Sequence, residues 1–269
     1  MDKQIGFVGC GKMGQAMVEG MITAGVVSAD SIKVSTSSAT TLLKVTEKLR
    51  VQGSLNNKDI ARFADFLFLA VEPSNYEKVI DEIKNDVKED VVIIMIAAGI
   101  SIQTVTAAFG RTVKVVRTMP NTPSLVGEGM TAFAINELIT EEDLANVEEI
   151  LNAFGKTELL KEGLMDAVPA ISGSSPAYVY MFIEALADGG VRDGIPRKQA
   201  YKMAAQAVLG AAKMVLETEE HPGSLKDNVC TPGGSTIRAV AALEESNFRA
   251  SILNAMKACT RKSKGLEEV

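Results

Sequence analysis

The stretch IGFVGCGKMGQAM, residues 5–17, decides the fold of the first half of the chain. A short apolar strand is predicted over residues 4–8, and a helical run begins just after it. Between them stand Gly9, Gly11 and Gly14, spaced G-x-G-x-x-G. In a strand–turn–helix unit, Gly9 permits the tight turn, Gly11 lets a pyrophosphate approach the backbone and Gly14 lets helix and strand pack closely. The sequence therefore predicts that this turn binds a dinucleotide.

Hydroxyl side chains follow where the ribose of such a cofactor is expected. About 20 residues after the glycines, an NAD-binding protein usually carries Asp or Glu. This chain carries Ser35, Thr36, Ser37 and Ser38 instead. These hydroxyls would not repel a 2′-phosphate, so they favour NADPH, although no Arg is present there to clamp the phosphate. The alternative is that they cap a helix beginning near Thr40.

Continuous apolar strands alternate with helices through the rest of this half, which indicates a parallel sheet covered on both faces. Such a sheet binds its ligand at the carboxyl ends of the strands. Small residues at 70–73 and 97–99 fall at two such ends, where they either line the cofactor or form ordinary turns. The predicted strands after the first are Ile32–Ser35, Phe66–Val71, Val91–Ile96, Val113–Arg117, Thr131–Ile135 and Lys156–Leu160.

Strand signals vanish after about Asp166, and the remaining chain predicts an all-helical second domain. Its first helix is expected over 176–188, with Ser174 or Ser175 as the cap and Gly189-Gly190 as the stop. This helix is apolar nearly all round, and a domain of about 100 residues has little interior to cover it. We therefore expect oligomerisation, with a well-packed monomer as the alternative. Further helices are predicted at Arg197–Thr218, Leu225–Val229, Thr236–Glu245 and Phe248–Lys264.

The stretch NVCTPGGSTIRAV, residues 228–240, interrupts the helical half with a strong break at 231–234. Ser235 and Thr236 then open the next helix. A helix N-terminus beside exposed amides is a natural site for an anion. This segment is therefore a candidate for binding an acidic ligand.

Composition excludes several classes of function. The 269 residues suggest two domains, and a net charge of −6 without a basic block argues against nucleic-acid binding. Three scattered cysteines, Cys10, Cys230 and Cys259, form neither a disulfide framework nor a metal-binding spacing. No segment reaches the roughly 18 apolar residues of a membrane span, and no signal-type segment is present. We expect a cytoplasmic protein without metal, membrane or nucleic-acid partners.

Strong proton donors and acceptors are scarce. The single histidine, His221, precedes Pro-Gly and is expected to form a turn rather than to act in catalysis. The chain therefore offers few side chains that could be the strong proton donor or acceptor that a ketone or alcohol reaction needs. A protonated cyclic imine, in contrast, accepts hydride without a dedicated acid. In that reaction, helix-terminal amides at 233–236 would hold a substrate carboxylate and the Thr236 hydroxyl would lie near the ring nitrogen.

The chain resembles the Δ1-pyrroline-5-carboxylate reductases over essentially its whole length. The resemblance rests on SGSSPAYVYMFIEALADGGVRDGIPR from 172, AAQAVLGAAKMVLETEEHPGSLKDNV from 204 and TPGGSTIRAVAALEESNFRA from 231, with FVGCGKMGQAM, LAVEP, AAGI and RTMPNTPSLVGEGMT in the first half. It implies an α/β fold with a Rossmann dinucleotide-binding domain over 1–163 and an all-helical dimerisation and substrate domain over 164–269. It further implies NADPH, with NADH as the alternative, L-1-pyrroline-5-carboxylate as substrate, L-proline as product, and homodimers that assemble as pentamers of dimers in many members.

The same resemblance implies the site residues. For the cofactor they are Val8, Gly9, Cys10, Gly11, Lys12, Met13, Gly14, Thr36, Asn57, Ala70, Val71, Glu72, Pro73, Ile96, Ala97, Ala98 and Asn228. For the substrate they are Glu162, Thr231, Gly233, Gly234, Ser235 and Thr236, of which Thr236 is the catalytic candidate.

Two segments depart from the family pattern. Ser175 stands where Gly is usual, which leaves the contacts of residues 172–176 open, and Thr231 and Ser235 vary the usual Ser-Pro-Gly-Gly-Thr/Ala-Thr while keeping hydroxyls. The alternatives are a reductase of another cyclic imine or keto acid, and a non-catalytic NADP-binding regulatory protein. The second alternative would need the cofactor site but not the loop at 231–236.

Overall fold

The computed structural model describes residues 3–266, and an eight-stranded sheet forms the centre of its first half. The order of the strands in the sheet is β3-β2-β1-β4-β5-β6-β7-β8. The sequence order reverses at β1, so the chain leaves the central strands in both directions, as in the predicted dinucleotide-binding fold. The strands are β1 Ile5–Val8, β2 Ile32–Ser35, β3 Gln52–Ser54, β4 Phe66–Leu69, β5 Val92–Met95, β6 Lys114–Met119, β7 Gly129–Ile135 and β8 Gly155–Leu159.

One pair of strands departs from the predicted parallel arrangement. Six of the seven neighbouring pairs are parallel, but β6 and β7 run antiparallel, with Val116 opposite Ile135. A parallel crossover needs a dozen or more residues, and only residues 120–128 join these two strands. The predicted parallel arrangement is therefore confirmed for six pairs, and this one pair is the exception. The short strand β3, which the sequence analysis missed, lies exposed at the sheet edge and lacks an apolar run.

Helices cover both faces of the sheet, as the continuous apolar strands predicted. On one face, Leu67 and Ile93 pack in a buried cluster with helix residues such as Ile80. On the other face, Phe7 and Phe68 stack with their ring centroids 4.3 Å apart. The helices of this half are α1 Lys12–Thr23, α2 Ala39–Leu49, α3 Asn57–Phe63, α4 Tyr76–Ile83, α5 Ile102–Phe109 and α6 Glu141–Asn152.

Several helix termini follow local sequence rules. Thr140 caps α6 in a reciprocal capping box with Asp143, which confirms the predicted start of that helix. Ser38 caps α2 by accepting a hydrogen bond from the Thr41 amide at 3.2 Å. The capping alternative is therefore confirmed for Ser38.

The chain divides into two compact units. The first comprises the described residues through Gly173 and those from Thr260 onward, and the second comprises Ser174–Cys259. This division by contacts falls after the boundary at 163/164 that the sequence predicts, so that domain boundary stays a prediction.

The second unit is helical, as predicted, but its first helix differs from the prediction at both ends. The helix continues through Gly189-Gly190 to Arg192, so the predicted stop is wrong. A glycine destabilises a helix by only about 1 kcal/mol. The chain turns later, at Gly194, where φ is +96°. Ser174 occupies the cap position but makes no capping bond, and its hydroxyl lies 3.3 Å from the sulfur of Cys259. The helices are α7 Ser175–Arg192, α8 Arg197–Thr218, α9 Pro222–Val229, α10 Ser235–Glu245 and α11 Phe248–Ser263, the last of which continues into the first unit.

The helical unit buries almost nothing within a single chain. Its only buried hydrophobic residues among those described are Ala187, Ala200 and Ala204. Large apolar side chains are exposed on all five helices, among them Phe182, Leu209, Val229, Leu243 and Leu253. So many exposed large apolar side chains indicate an interface, which agrees with the oligomerisation expected from the sequence. No helix among residues 3–266 has the length and apolarity needed to cross a bilayer.

Candidate active site

The turn after β1 brings two strand ends into close contact. Gly9 has φ of +83°, and a Cβ atom there would lie 2.6 Å from the carbonyl oxygen of Ala70. Only glycine fits, because both the backbone conformation and the neighbouring carbonyl exclude a side chain. The Gly9 amide donates a hydrogen bond to Ser35 Oγ at 3.2 Å. The tight turn predicted at Gly9 is confirmed.

The other two glycines of the motif differ in what requires them. A Cβ at Gly11 would have no atom within 4 Å, which leaves open space beside the N-terminus of α1. A Cβ at Gly14 would meet its nearest atoms at an ordinary 3.5 Å, so the prediction that Gly14 is needed for close packing is wrong. That requirement falls on Gly6 instead, where a Cβ would lie 2.7 Å from the Cβ of Ala64.

An open cavity of about 380 Å³ lies over the carboxyl ends of the central strands. The glycine turn forms one side of it, and the segments after β4 and β5 and the end of β6 form the rest. The lining residues are Gly11, Lys12, Met13, Gly14, Ala70, Val71, Glu72, Pro73, Ile96, Ala97, Ala98, Met119 and Pro120. Most of the predicted cofactor residues are therefore gathered around one cavity. Met119 and Pro120, at the end of β6, also line this cavity and were not predicted from the sequence.

A second cavity, of about 420 Å³, adjoins the turn at Gly9 and Val71. Thr36 and Asn57, both predicted near the adenosine ribose, line it together. Ser35 connects Asn57 to the glycine turn at this cavity. The buried Ser35 hydroxyl donates a hydrogen bond to Asn57 Oδ1 at 2.7 Å and accepts one from the Gly9 amide. The Asn57 amide group in turn donates to Glu82 Oε2 at 3.0 Å.

Lys78 is the one lysine or arginine among the residues that line this second cavity. It is exposed on α4 and forms no ion pair within the part of the chain that the structure describes. The sequence shows no Arg near Thr36, and Lys78, more than 40 residues further on, was not predicted. The helical period of α4 would have put Lys78 on its polar face, but only the tertiary fold brings that helix beside α3, where Asn57 bonds to Glu82.

Glu162 is held by a buried arginine. Its Oε1 accepts a hydrogen bond from the Ile102 amide at 2.7 Å, at the start of α5, and lies 3.6 Å from the Arg117 guanidinium. Arg117 also pairs with Asp166 Oδ1 at 2.7 Å and is only 7% exposed. These contacts orient the Glu162 carboxylate, whose predicted contact with substrate stays a prediction. Arg117 was not singled out in the sequence.

In the helical unit, the loop at 231–234 ends in a helix N-terminus that carries no side-chain cap. The Gly234 amide donates to the carbonyl of Thr231 at 3.0 Å, and Gly234 is the cap residue of α10. Thr236 is thus the second residue of the helix and does not cap it. The first-turn amides of a helix lack acceptors within the helix, so residues 235–237 offer donors to an anion.

The remaining candidates are placed as follows. His221 caps α9 by accepting the Gly223 amide on Nδ1 at 3.0 Å, which confirms the local role expected for it. Asn228 lies exposed near the end of the same helix. Burial raises the pKa of the Cys10 thiol to about 12, so this thiol stays protonated at neutral pH. No cluster of three or more metal-ligating side chains occurs within the described residues.

The glycine turn and the cavities at the strand ends define a dinucleotide-binding domain, and comparisons with known proteins identify the chain as an NAD(P)-dependent oxidoreductase and give its family. Residues 162–266 match the family model described as pyrroline-5-carboxylate reductase dimerisation, and residues 4–99 match the model described as coenzyme F420-dependent NADP oxidoreductase. The pyrroline-5-carboxylate reductase of Escherichia coli (strain K12) is 47% identical over 268 residues, which cover 100% of both chains.

Solved structures agree with this result. The pyrroline-5-carboxylate reductase of Coxiella burnetii superposes with a TM-score of 0.93 at 32% identity and covers 100% of both chains. The Plasmodium falciparum pyrroline carboxylate reductase with NADP bound superposes with a TM-score of 0.88 at 32% identity over 99% of each chain. The chain belongs to the pyrroline-5-carboxylate reductase family.

Proposed function

We propose that this chain transfers hydride from NAD(P)H to the carbon of the C=N bond of L-1-pyrroline-5-carboxylate and so forms L-proline, the last step of proline biosynthesis. The ring nitrogen of the iminium keeps its proton and gains the electron pair of the C=N bond. The observation that carries the proposal is the 47% identity to the Escherichia coli enzyme over the full length of both chains. When bound, NAD(P)H supplies the hydride, so the protein must chiefly bind and orient the two reactants.

The two cavities of the first unit are the proposed cofactor site. The open space at Gly11 and the N-terminal amides of α1 suit a pyrophosphate. The cavity over β4 and β5 receives the nicotinamide half between residues 70–73 and 96–98, and the second cavity receives the adenosine half near Thr36 and Asn57. Asn228 completes the proposed cofactor contacts.

The substrate site is proposed at the N-terminus of α10. First-turn amides at 235–237 bind the substrate carboxylate, with Thr231, Gly233 and Gly234 shaping the loop. The Thr236 hydroxyl is free for the ring nitrogen, because Gly234 occupies the cap position and Thr236 makes no capping bond. Glu162 is a further substrate contact, oriented by Arg117.

We also propose that two copies pair through the exposed apolar helices, that five such dimers form a decamer, and that the protein works in the cytoplasm. Support comes from the uncovered surfaces of α7–α11 and from the match of residues 162–266 to a dimerisation model.

The reaction is tested by following NADPH oxidation with purified protein and L-1-pyrroline-5-carboxylate. We expect turnover with L-proline as product, and a lower kcat/KM with NADH. A keto acid and a six-membered cyclic imine serve as competing substrates in the same assay. Folded protein that oxidises neither cofactor contradicts the proposal. A higher kcat/KM with either competing substrate would show that the chain is a reductase of another cyclic imine or of a keto acid.

The preference for NADPH is tested by Lys78→Met. The ammonium group is the one cation lining the adenosine cavity, so its loss removes a charged contact to the 2′-phosphate. We expect kcat/KM for NADPH to fall about 10- to 100-fold and that for NADH to stay unchanged, because a hydrogen bond to a charged group contributes about 1.5–3 kcal/mol. Lys84→Met, which removes a lysine paired with Asp81 at 2.7 Å, is the control. An equal fall in kcat/KM with both cofactors would show that Lys78 does not recognise the 2′-phosphate.

The role of Thr236 is tested by Thr236→Ala. We expect kcat/KM to fall about 10²–10³-fold, as when a donor that stabilises a transition state is lost, while the Kd for NADPH stays the same. Thr236→Ser keeps the hydroxyl and should retain most of the activity. Thr218→Ala removes a hydroxyl that donates to the Met214 carbonyl at 2.7 Å in the same unit, and it should leave turnover intact. Wild-type turnover by Thr236→Ala would show that the hydroxyl is dispensable.

The assembly is tested by light scattering at low micromolar concentration. A chain of 28.6 kDa should give ten times that mass as a decamer, with each dimer interface burying more than about 2,000 Å², as obligate interfaces do. Twice the chain mass would refute the decamer and keep the dimer. The chain mass itself would refute both.

A further inference from the structure

One buried tyrosine links the last residue of β4 to residues 96 and 97, which line the cavity proposed for the nicotinamide. Tyr76 is the first residue of α4 and is only 3% exposed. Its hydroxyl donates to the carbonyl of Leu69 at 2.6 Å and accepts from the amides of Ile96 and Ala97, each at 3.2 Å. A phenol has one proton to donate and two lone pairs to accept with, so these three bonds use its full capacity.

These bonds lie where the sheet stops holding the two segments together. The parallel pairing of β4 with β5 ends at Leu69 opposite Met95. Beyond that pair, the Ala70 amide turns toward β1 and donates to the Val8 carbonyl at 2.9 Å. The Tyr76 hydroxyl therefore continues, from a side chain, the cross-link that the backbone ladder no longer makes.

The surroundings of the Tyr76 hydroxyl keep it protonated. Its aromatic ring packs in the apolar cluster that also contains Ile80, Val105 and Met95. Burial raises the pKa of Tyr76, and the two amide hydrogen bonds offset only part of that effect. The group stays a neutral phenol at neutral pH and remains able both to donate and to accept.

We propose that Tyr76 is a positioning residue for hydride transfer, because its hydroxyl sets the spacing between segments 70–73 and 96–98. This inference rests on the proposed function, which assigns those segments to the nicotinamide half of the cofactor. Tyr76 does not touch the cofactor. It acts on the reaction through Leu69, Ile96 and Ala97.

The inference is tested by Tyr76→Phe, which removes only the hydroxyl, against Ile80→Val as a matched control. Ile80 is a buried residue of the same helix, 1% exposed, and bonds to neither segment through its side chain. Both variants should lower Tm. Only Tyr76→Phe should raise the Kd for NADPH, by about tenfold, the effect expected for losing one or two hydrogen bonds that hold the site. The KM for pyrroline-5-carboxylate should stay unchanged. The chain has no Trp, so NADPH fluorescence reports binding directly.

Amide hydrogen exchange provides the second readout and needs no cofactor. In the wild-type chain, the amides of Ile96 and Ala97 should exchange as slowly as those inside β5. In Tyr76→Phe they should exchange at least about tenfold faster, whereas in Ile80→Val they should keep the wild-type rate. Fast exchange at both amides in the wild-type chain overturns the inference even if Tyr76→Phe fails to fold.

The outcomes separate this inference from the proposed function. An unchanged Kd in Tyr76→Phe, or an equal rise in both variants, overturns the positioning role while catalysis by the wild-type chain upholds the function. A wild-type chain that binds no NADPH overturns the function together with the cofactor part of the inference. The exchange rates still decide whether the hydroxyl holds the two segments.

Discussion

The close approach of the Gly9 backbone to the Ala70 carbonyl is the constraint on which the rest of the first unit depends. A Cβ at Gly9 would stand 2.6 Å from that oxygen, so the turn exists only without a side chain. The turn delivers the N-terminus of α1 to the edge of the sheet where β4 and β5 also end. Ser35 links this turn to the second cavity, because its hydroxyl bonds both to the Gly9 amide and to Asn57. One backbone contact thus aligns both cavities along a single edge.

The elements that the sequence predicted well obey local rules. The G-x-G-x-x-G turn, the capping box at Thr140 and the uninterrupted apolar runs of β4 and β5 each specify their structure within a few residues. Two features that these rules do not cover were predicted wrongly. The antiparallel β7 follows from the length of its connection, and α7 runs through Gly189-Gly190 because nothing after those glycines ends a helix until Gly194.

The candidate site divides in the same way. Its backbone donors could be predicted, because glycines and helix starts are visible in sequence. Three of its side chains could not be predicted, because only the order of strands in the sheet gives them their contacts. Lys78 lines the second cavity, Arg117 contacts Glu162, and Tyr76 bonds to Leu69, Ile96 and Ala97. Thr236 is an intermediate case. The sequence placed it at the opening of a helix, and the structure shows that Gly234 is the cap residue and Thr236 the second residue of α10.

The three buried alanines of the helical unit have a thermodynamic consequence. A unit that covers only Ala187, Ala200 and Ala204 by itself cannot offset the conformational entropy of its five helices from interactions within one chain. Its folding is therefore coupled to association, and its stability obeys mass action: each dilution moves the balance toward chains whose helices have no partner. The first unit, with a core on each face of its sheet, has no such dependence. One polypeptide thus combines a domain of fixed stability with one whose stability is a function of protein concentration.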